Sequence, residues 1–197
     1  MKKFVVLFLC FILALSVCAC SSKGGSMMTS PVEDFEYEFN DGEVEITGYI
    51  GSDLEIVVPS IIENRPVTEI GYEAFEGYDM KSIVIPDSVI EIDDRAFENC
   101  SNLSNIVFSE NLELISSCAF WGCDSLESII IPDSVRIIGS SSFYCCSSLK
   151  SVTMSRELYE ECKDDFIGTP LDTGIFYGCS TELKINGVPY DPSPDTW

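Results

Sequence analysis

The groups best able to do chemistry in this 197-residue chain are ten cysteines and 33 acidic side chains, and there is no histidine at all. Without histidine, most nucleophile–base pairs lose their base. A zinc site would need thiolate or carboxylate ligands alone, and no C-x-x-C pair occurs to start one. The chain also lacks a G-x-S-x-G elbow, a phosphate-binding P-loop, and a G-x-G-x-x-G run between a strand and a helix. Carboxylates cluster at Glu33, Asp34, Glu36 and Glu38 and again at Glu160, Glu161, Asp164 and Asp165. Neither cluster has the spacing of a calcium loop, and both read as solvated surface. The expectation is a protein that is not an enzyme and uses no cofactor or metal.

Three of the cysteines lie at the start. Lys2 and Lys3 precede an apolar run from Phe4 to Val17, and the stretch ends Val17-Cys18-Ala19-Cys20-Ser21-Ser22. A short basic start, an apolar stretch and small residues after it read as a secretory signal. No basic stop-transfer cluster follows, which disfavours an uncleaved anchor. "VCAC" resembles the lipobox of bacterial lipoproteins, with Val and Ala at the −3 and −1 positions. That resemblance implies a thioether-linked diacylglycerol on Cys20 as the mature N-terminus; Cys18, preceded by bulky Val17, fits less well. Durable anchoring takes two or more acyl chains. Gly- and Ser-rich residues 21–31 then read as a flexible tether that reaches roughly 15–20 Å.

Removing residues 1–19 takes away Lys2 and Lys3 and no acid, leaving 9 basic residues against 33 acidic ones, a formal charge of −24. Such a charge repels nucleic acid and anionic headgroups. Membrane contact is therefore expected through the lipid anchor alone, with no nucleic-acid partner. The stretch of about 165 residues after the tether is enough for one domain with a continuous core.

The pentapeptide Ile-Pro-Asp-Ser-Val occurs at 85–89 and at 131–135, 46 residues apart. Aligning the chain on it exposes a 23-residue unit. The columns hold Met80, Leu103, Leu126 and Leu149; Ile83, Ile106, Ile129 and Val152; Ile85, Phe108, Ile131 and Met154. Further along stand Val89, Leu112 and Val135; Ile92, Ile115 and Ile138; Phe97, Phe120 and Phe143; Cys100, Cys123 and Cys146. An earlier unit from Asp53 fits with about five extra residues before Val67. A final distorted unit places Phe166 in register, inserts about ten residues, and writes Phe176-Tyr177-Gly178-Cys179 again. One unit cannot bury its apolar positions, but stacked units can. Each unit is expected to form a short strand, a corner at the Pro, and a helical turn capped by Asp-Ser with Val89, Ile92 and Ala96 at helical spacing.

These columns closely resemble the BspA-like leucine-rich repeats of bacterial surface proteins, over about Asp53 to Cys179. The resemblance implies an α/β repeat solenoid, a short leucine-rich-repeat array of about five 23-residue coils. Asn40-Asp41-Gly42 is a strong turn signal, so Phe35–Asn40 and Glu43–Tyr49 read as a hairpin capping the first coil. Departures are Ser109 for Pro, Ser142 for Ala, and the irregular unit from Ser155 to Cys179. The expected organisation is a signal peptide over 1–19, a lipidated tether over 20–31, a capping hairpin over 32–52, repeats over 53–185 and a tail over 186–197.

Seven cysteines remain after the leader. Cys100, Cys123, Cys146 and Cys179 share one core column, where Cys packs as a small hydrophobe. Neighbouring coils bring them near bridging distance, but free buried thiols are expected because a bridge pairs only two members of a column. Cys118, Cys145 and Cys162 lie off the column.

The family resemblance implies adhesion, with a protein or glycan ligand at a cell surface, the chain itself acting as a monomer. The candidate concave binding face consists of the outward strand positions Ser82, Val84, Asn105, Val107, Ser128, Ile130, Ser151 and Thr153, a nearly uncharged strip on an acidic protein. The same residues also simply suit a β-sheet. A second candidate is an aromatic ladder of Trp121, Tyr144 and Tyr177, each directly after the column Phe and able to hold a sugar or peptide. The alternative function is a structural or spacer component of the cell envelope without a soluble ligand. The expected location is the cell membrane or outer surface, lipid-anchored and extracytoplasmic.

Overall fold

A computed structural model describes residues 29–166 and 174–189. The signal segment, Cys20, most of the tether and the tail beyond residue 189 lie outside the described residues. The rest is a stack of turns built on two parallel ladders. One ladder carries the three-residue strands Glu55–Val57, Ser82–Val84 and Asn105–Val107, and separately Ser128–Ile130 and Ser151–Thr153 followed by the two-residue Lys184–Ile185. The other runs from Glu43–Tyr49 through Arg65–Ile70, Glu91–Ile92 and Leu114–Ile115 to Ile137–Ile138. Pairing follows the repeat columns residue for residue, Ile83 opposite Ile106 and Ile92 opposite Ile115.

The columns become the core. Phe75, Phe97, Phe120, Phe143 and Phe176 form a continuous stack with ring centroids 5.0–5.6 Å apart and planes within 14° of parallel. Met80, Leu103, Leu126 and Leu149 are fully buried beside it. The Cys column is made of unpaired thiols. Each donates to the carbonyl of the Phe one coil earlier: Cys100 to Phe75, Cys123 to Phe97, Cys146 to Phe120 and Cys179 to Phe143, at 3.0–3.2 Å. Burial pushes the Cys100 thiol up to about 12, so it stays protonated and inert.

The expected helical turn does not form in the coils. Arg95, Cys118 and Ser141 adopt left-handed backbone, as do Asn99, Gly122 and Cys145 four residues on, with φ between 57° and 71°. A right-handed helix cannot pass through such residues. The amides bond instead to the next coil, Phe97 N–H to Ala119 C=O and Phe120 N–H to Ser142 C=O. Ile92, Ile115 and Ile138 belong to two-residue strands rather than a helix face. The Pro corner closes as a turn, Val89 N–H to Pro86 C=O, and Asp87 accepts from the Glu110 N–H of the next coil rather than capping a helix. The one α-helix among the described residues is Arg156–Cys162, with Ser155 accepting from Leu158 N–H at its start.

The termini also differ in detail. The hairpin Phe35–Asn40 with Glu43–Tyr49 forms, turning at Asp41 and Gly42, and its second strand adds in parallel to Arg65–Ile70. Ser30, expected within the tether, is buried and exchanges hydrogen bonds with Val57. The extra residues of the first unit are a second hairpin, Ile61–Ile62 against Arg65–Pro66. In the last unit Phe176, not Phe166, continues the stack; Phe166 packs edge-on against it at 5.2 Å. The sheet runs past 185, where Asn186 and Gly187 turn the chain so that Val188–Pro189 pairs back on Lys184–Ile185.

Candidate functional site

The strand ladder positions the candidate face. Along each three-residue strand the central residue points into the core and its neighbours point out. Ile83, Ile129 and Val152 are buried, whereas Asn105, Val107, Ser128, Ile130, Ser151 and Thr153 are exposed and Ser82 and Val84 half-buried. All eight predicted positions therefore lie on one surface. In-register pairing continues that surface to Glu55, opposite Ser82, and to Lys184, opposite Ser151, so an uncharged strip has one charged residue at each end. Val107 and Ile130 are its most exposed large apolar side chains, at 47% and 73%.

The aromatic ladder is also assembled. Trp121 and Tyr144 sit 4.9 Å apart at 55°, and Tyr144 and Tyr177 stack at 5.3 Å. Tyr144 and Tyr177 turn their faces to one another, whereas Trp121 is tilted against Tyr144. Among the described residues, no group of three Cys, Asp or Glu side chains is placed to hold a metal ion.

A third cluster was not found by sequence reasoning. Glu45, Glu69 and Glu91 stand opposite one another on adjacent strands of the second ladder. Their spacings of 24 and 22 residues hide the column from a 23-residue alignment. Leu114 is the half-buried next member of this column. Burial, then the carboxylates of Glu45, Glu91 and Asp93, push Glu69 up from 4.5 to about 7. The folded state thus holds this proton more tightly than the unfolded chain, and stability falls as pH rises between about 4.5 and 7. Glu69→Gln is therefore expected to raise the denaturant midpoint at pH 8. Because the side chain is half-exposed, solvent screening limits the gain to about 1 kcal/mol. The gain should vanish near pH 4.5; an equal effect at both pH values would rule out the coupling.

The description "BspA type leucine rich repeat region" matches residues 68–186 in six copies. Among solved structures, the fold is similar to a leucine-rich repeat protein of T. pallidum, 32% identical over 66% of this chain and 63% of that one, with a TM-score of 0.65. A leucine-rich repeat protein from Bacteroides capillosus is 33% identical over 64% of this chain and 98% of its own, with a TM-score of 0.56. A leucine-rich cell surface protein from Faecalibacterium prausnitzii is 26% identical over 84% of this chain and 40% of its own, with a TM-score of 0.64. The chain thus spans less than two thirds of the T. pallidum and F. prausnitzii proteins. No curated protein matches it.

Proposed function

The chain belongs to the BspA-type leucine-rich repeat family, and from that premise we propose that it is a lipid-anchored, cell-surface interaction module that binds a protein or glycan through its outer strand face. The observation that carries this reading is the lack of charge at Ser82, Val84, Asn105, Val107, Ser128, Ile130, Ser151 and Thr153, on a chain of formal charge −24 without residues 1–19. A neutral face accepts a partner without the desolvation and repulsion that carboxylates impose. Cell-surface placement is supported by the description of the F. prausnitzii relative and by the lipobox-like Val17–Cys20.

The test is a pull-down against host matrix proteins, glycans and the producing cell's own envelope fraction. Affinity for the retained partner is then measured with the double variant Val107→Asp/Ile130→Asp, which should abolish binding without unfolding the domain, since both side chains point to solvent. Tyr144→Ala is the control. Undiminished binding by the first and loss by the second would move the site to the aromatic ladder. A folded, surface-displayed protein that retains nothing from any fraction would leave the spacer reading instead. In the same cells Cys20→Ala should shift the protein out of the membrane fraction or block its processing. If Cys18→Ala did so and Cys20→Ala did not, the anchor would lie at Cys18.

A further inference from the structure

The strand ladder is broken once, between Asn105–Val107 and Ser128–Ile130. Every other neighbouring pair of three-residue strands is joined by hydrogen bonds, but these two belong to separate sheets. On the preceding side, Asn105 N–H bonds to Lys81 C=O and Val107 C=O accepts from Ile85 N–H. On the following side, Glu127 C=O accepts from Ser151 N–H, and Ile131 N–H bonds to Thr153 C=O. Backbone groups of alternate residues in a parallel strand point to opposite edges. The groups facing the break are therefore the N–H and C=O of Ile106 and the N–H of Phe108 on one edge, and those of Ser128 and Ile130 on the other.

A groove of about 510 Å³ occupies the break, lined by Ile106, Val107, Phe108 and Ile130 with Glu110 and Asp133 at one end. Ile106 is only partly buried, unlike its column mates. The break coincides with two departures from the repeat, Phe108 where coils on either side have Ile85 and Ile131, and Ser109 where they have Pro86 and Pro132. On the far side of the same two coils the ladder is intact, Gly139 N–H bonds to Ile115 C=O at 2.7 Å, and a β-carbon added at Gly139 would lie 2.5 Å from Ser117 N. The two coils are thus hydrogen-bonded at Gly139 and unbonded along the groove.

We propose that this seam takes an extended peptide segment of a partner protein as an added strand. Its backbone pairs with Ile106 on one side and Ser128 and Ile130 on the other, alternate β-branched or apolar side chains cover Ile106, Val107 and Ile130, and a Lys or Arg meets Glu110 and Asp133. Unpaired strand edges bind extended peptides through main-chain hydrogen bonds, with alternate side chains setting specificity. Two carboxylates at one end and an apolar centre select that pattern over an acidic or polar segment. The proposal rests on the reading that the strand face binds a partner, and specifies how.

The test needs no known partner. Amide exchange should be fast at Ile106, Phe108 and Ile130 and slow at Ile83 and Ile129 in the free protein. A capped eight-residue peptide of alternating Val and Thr with a terminal lysine should slow those amides and shift their NMR signals. Methylating alternate peptide nitrogens should weaken binding at least tenfold, and replacing the lysine by Glu severalfold. Phe108→Ile, which restores the column residue, should close the seam and lower peptide affinity tenfold. Slow exchange at Ile106 and Ile130 in the free protein overturns the proposal. So does peptide binding that ignores N-methylation or Phe108→Ile, an absence of peptide binding, or binding of a neutral oligosaccharide alone. If Val107→Asp/Ile130→Asp abolishes binding of the retained partner while Phe108→Ile leaves it unchanged, the face reading stands and the seam reading fails.

Discussion

Phe120→Ala is expected to destabilise the domain by about 3–5 kcal/mol. Phe120 is fully buried at the centre of the ring stack, 5.0 Å from Phe97 at 6° and 5.2 Å from Phe143 at 4°. Phe108 adds an edge-on contact at 5.7 Å. Truncation leaves a cavity facing three rings, and the surrounding coils cannot collapse into it. Their spacing is held by backbone bonds such as Phe97 N–H to Ala119 C=O and Phe120 N–H to Ser142 C=O. The lost contacts are also those that join one coil to the next, so cooperativity along the array should weaken. Glu113→Ala is the comparison: its side chain is exposed and should cost under about 0.5 kcal/mol. Equal denaturant midpoints for the two variants would contradict the arrangement of the core.

Gly139→Ala is expected to cost about 2–3 kcal/mol, a large loss for adding one methyl group. A β-carbon there would lie 2.5 Å from Ser117 N, 2.6 Å from Ser116 C and 2.8 Å from Ser117 Cα. All three are backbone atoms of the preceding coil, so relief requires the two coils to separate there. Gly77→Ala supplies the contrast. Gly77 has φ +65° and nothing within 4 Å of an added β-carbon, so the penalty there is only that of left-handed backbone, about 1 kcal/mol. Denaturant curves for the two variants decide the matter. If Gly139→Ala were no more damaging than Gly77→Ala, the close approach of these coils at Gly139 would be absent in solution.

The Gly139 column shows how a repeat alignment reaches its limit. Asp93 and Ser116 occupy the same position in the preceding coils, so the column by itself suggests that a side chain is tolerated. What forbids it is the distance between two particular coils. The carboxylate column was hidden for a related reason. Glu45, Glu69 and Glu91 become neighbours only through strand register in the irregular first unit and its hairpin. In the last unit two phenylalanines competed for one slot. Phe166 kept the count, but Phe176 took the stack and Phe166 turned edge-on. The turn at Asn186 and Gly187 was legible as a local signal, yet it was read as tail because the repeat had already ended.

By itself the sequence determined the period, the stacking of identical columns, the outward strand positions and the N-terminal hairpin, because each follows from side-chain burial repeated at a fixed interval and from local turn chemistry. The absence of histidine and of nucleophile or phosphate-loop patterns was likewise plain from composition. Tertiary structure alone decided that the arc after the Pro corner is turns and a second ladder rather than helix, because left-handed residues redirect its amides to the neighbouring coil. It alone decided which pair of coils is unbonded along one ladder, beside Phe108, and closely approached along the other, at Gly139. The open strand edges at Ile106 and Ile130 belong to neither residue's own coil; they exist only in the separation between two coils, a property no single repeat carries.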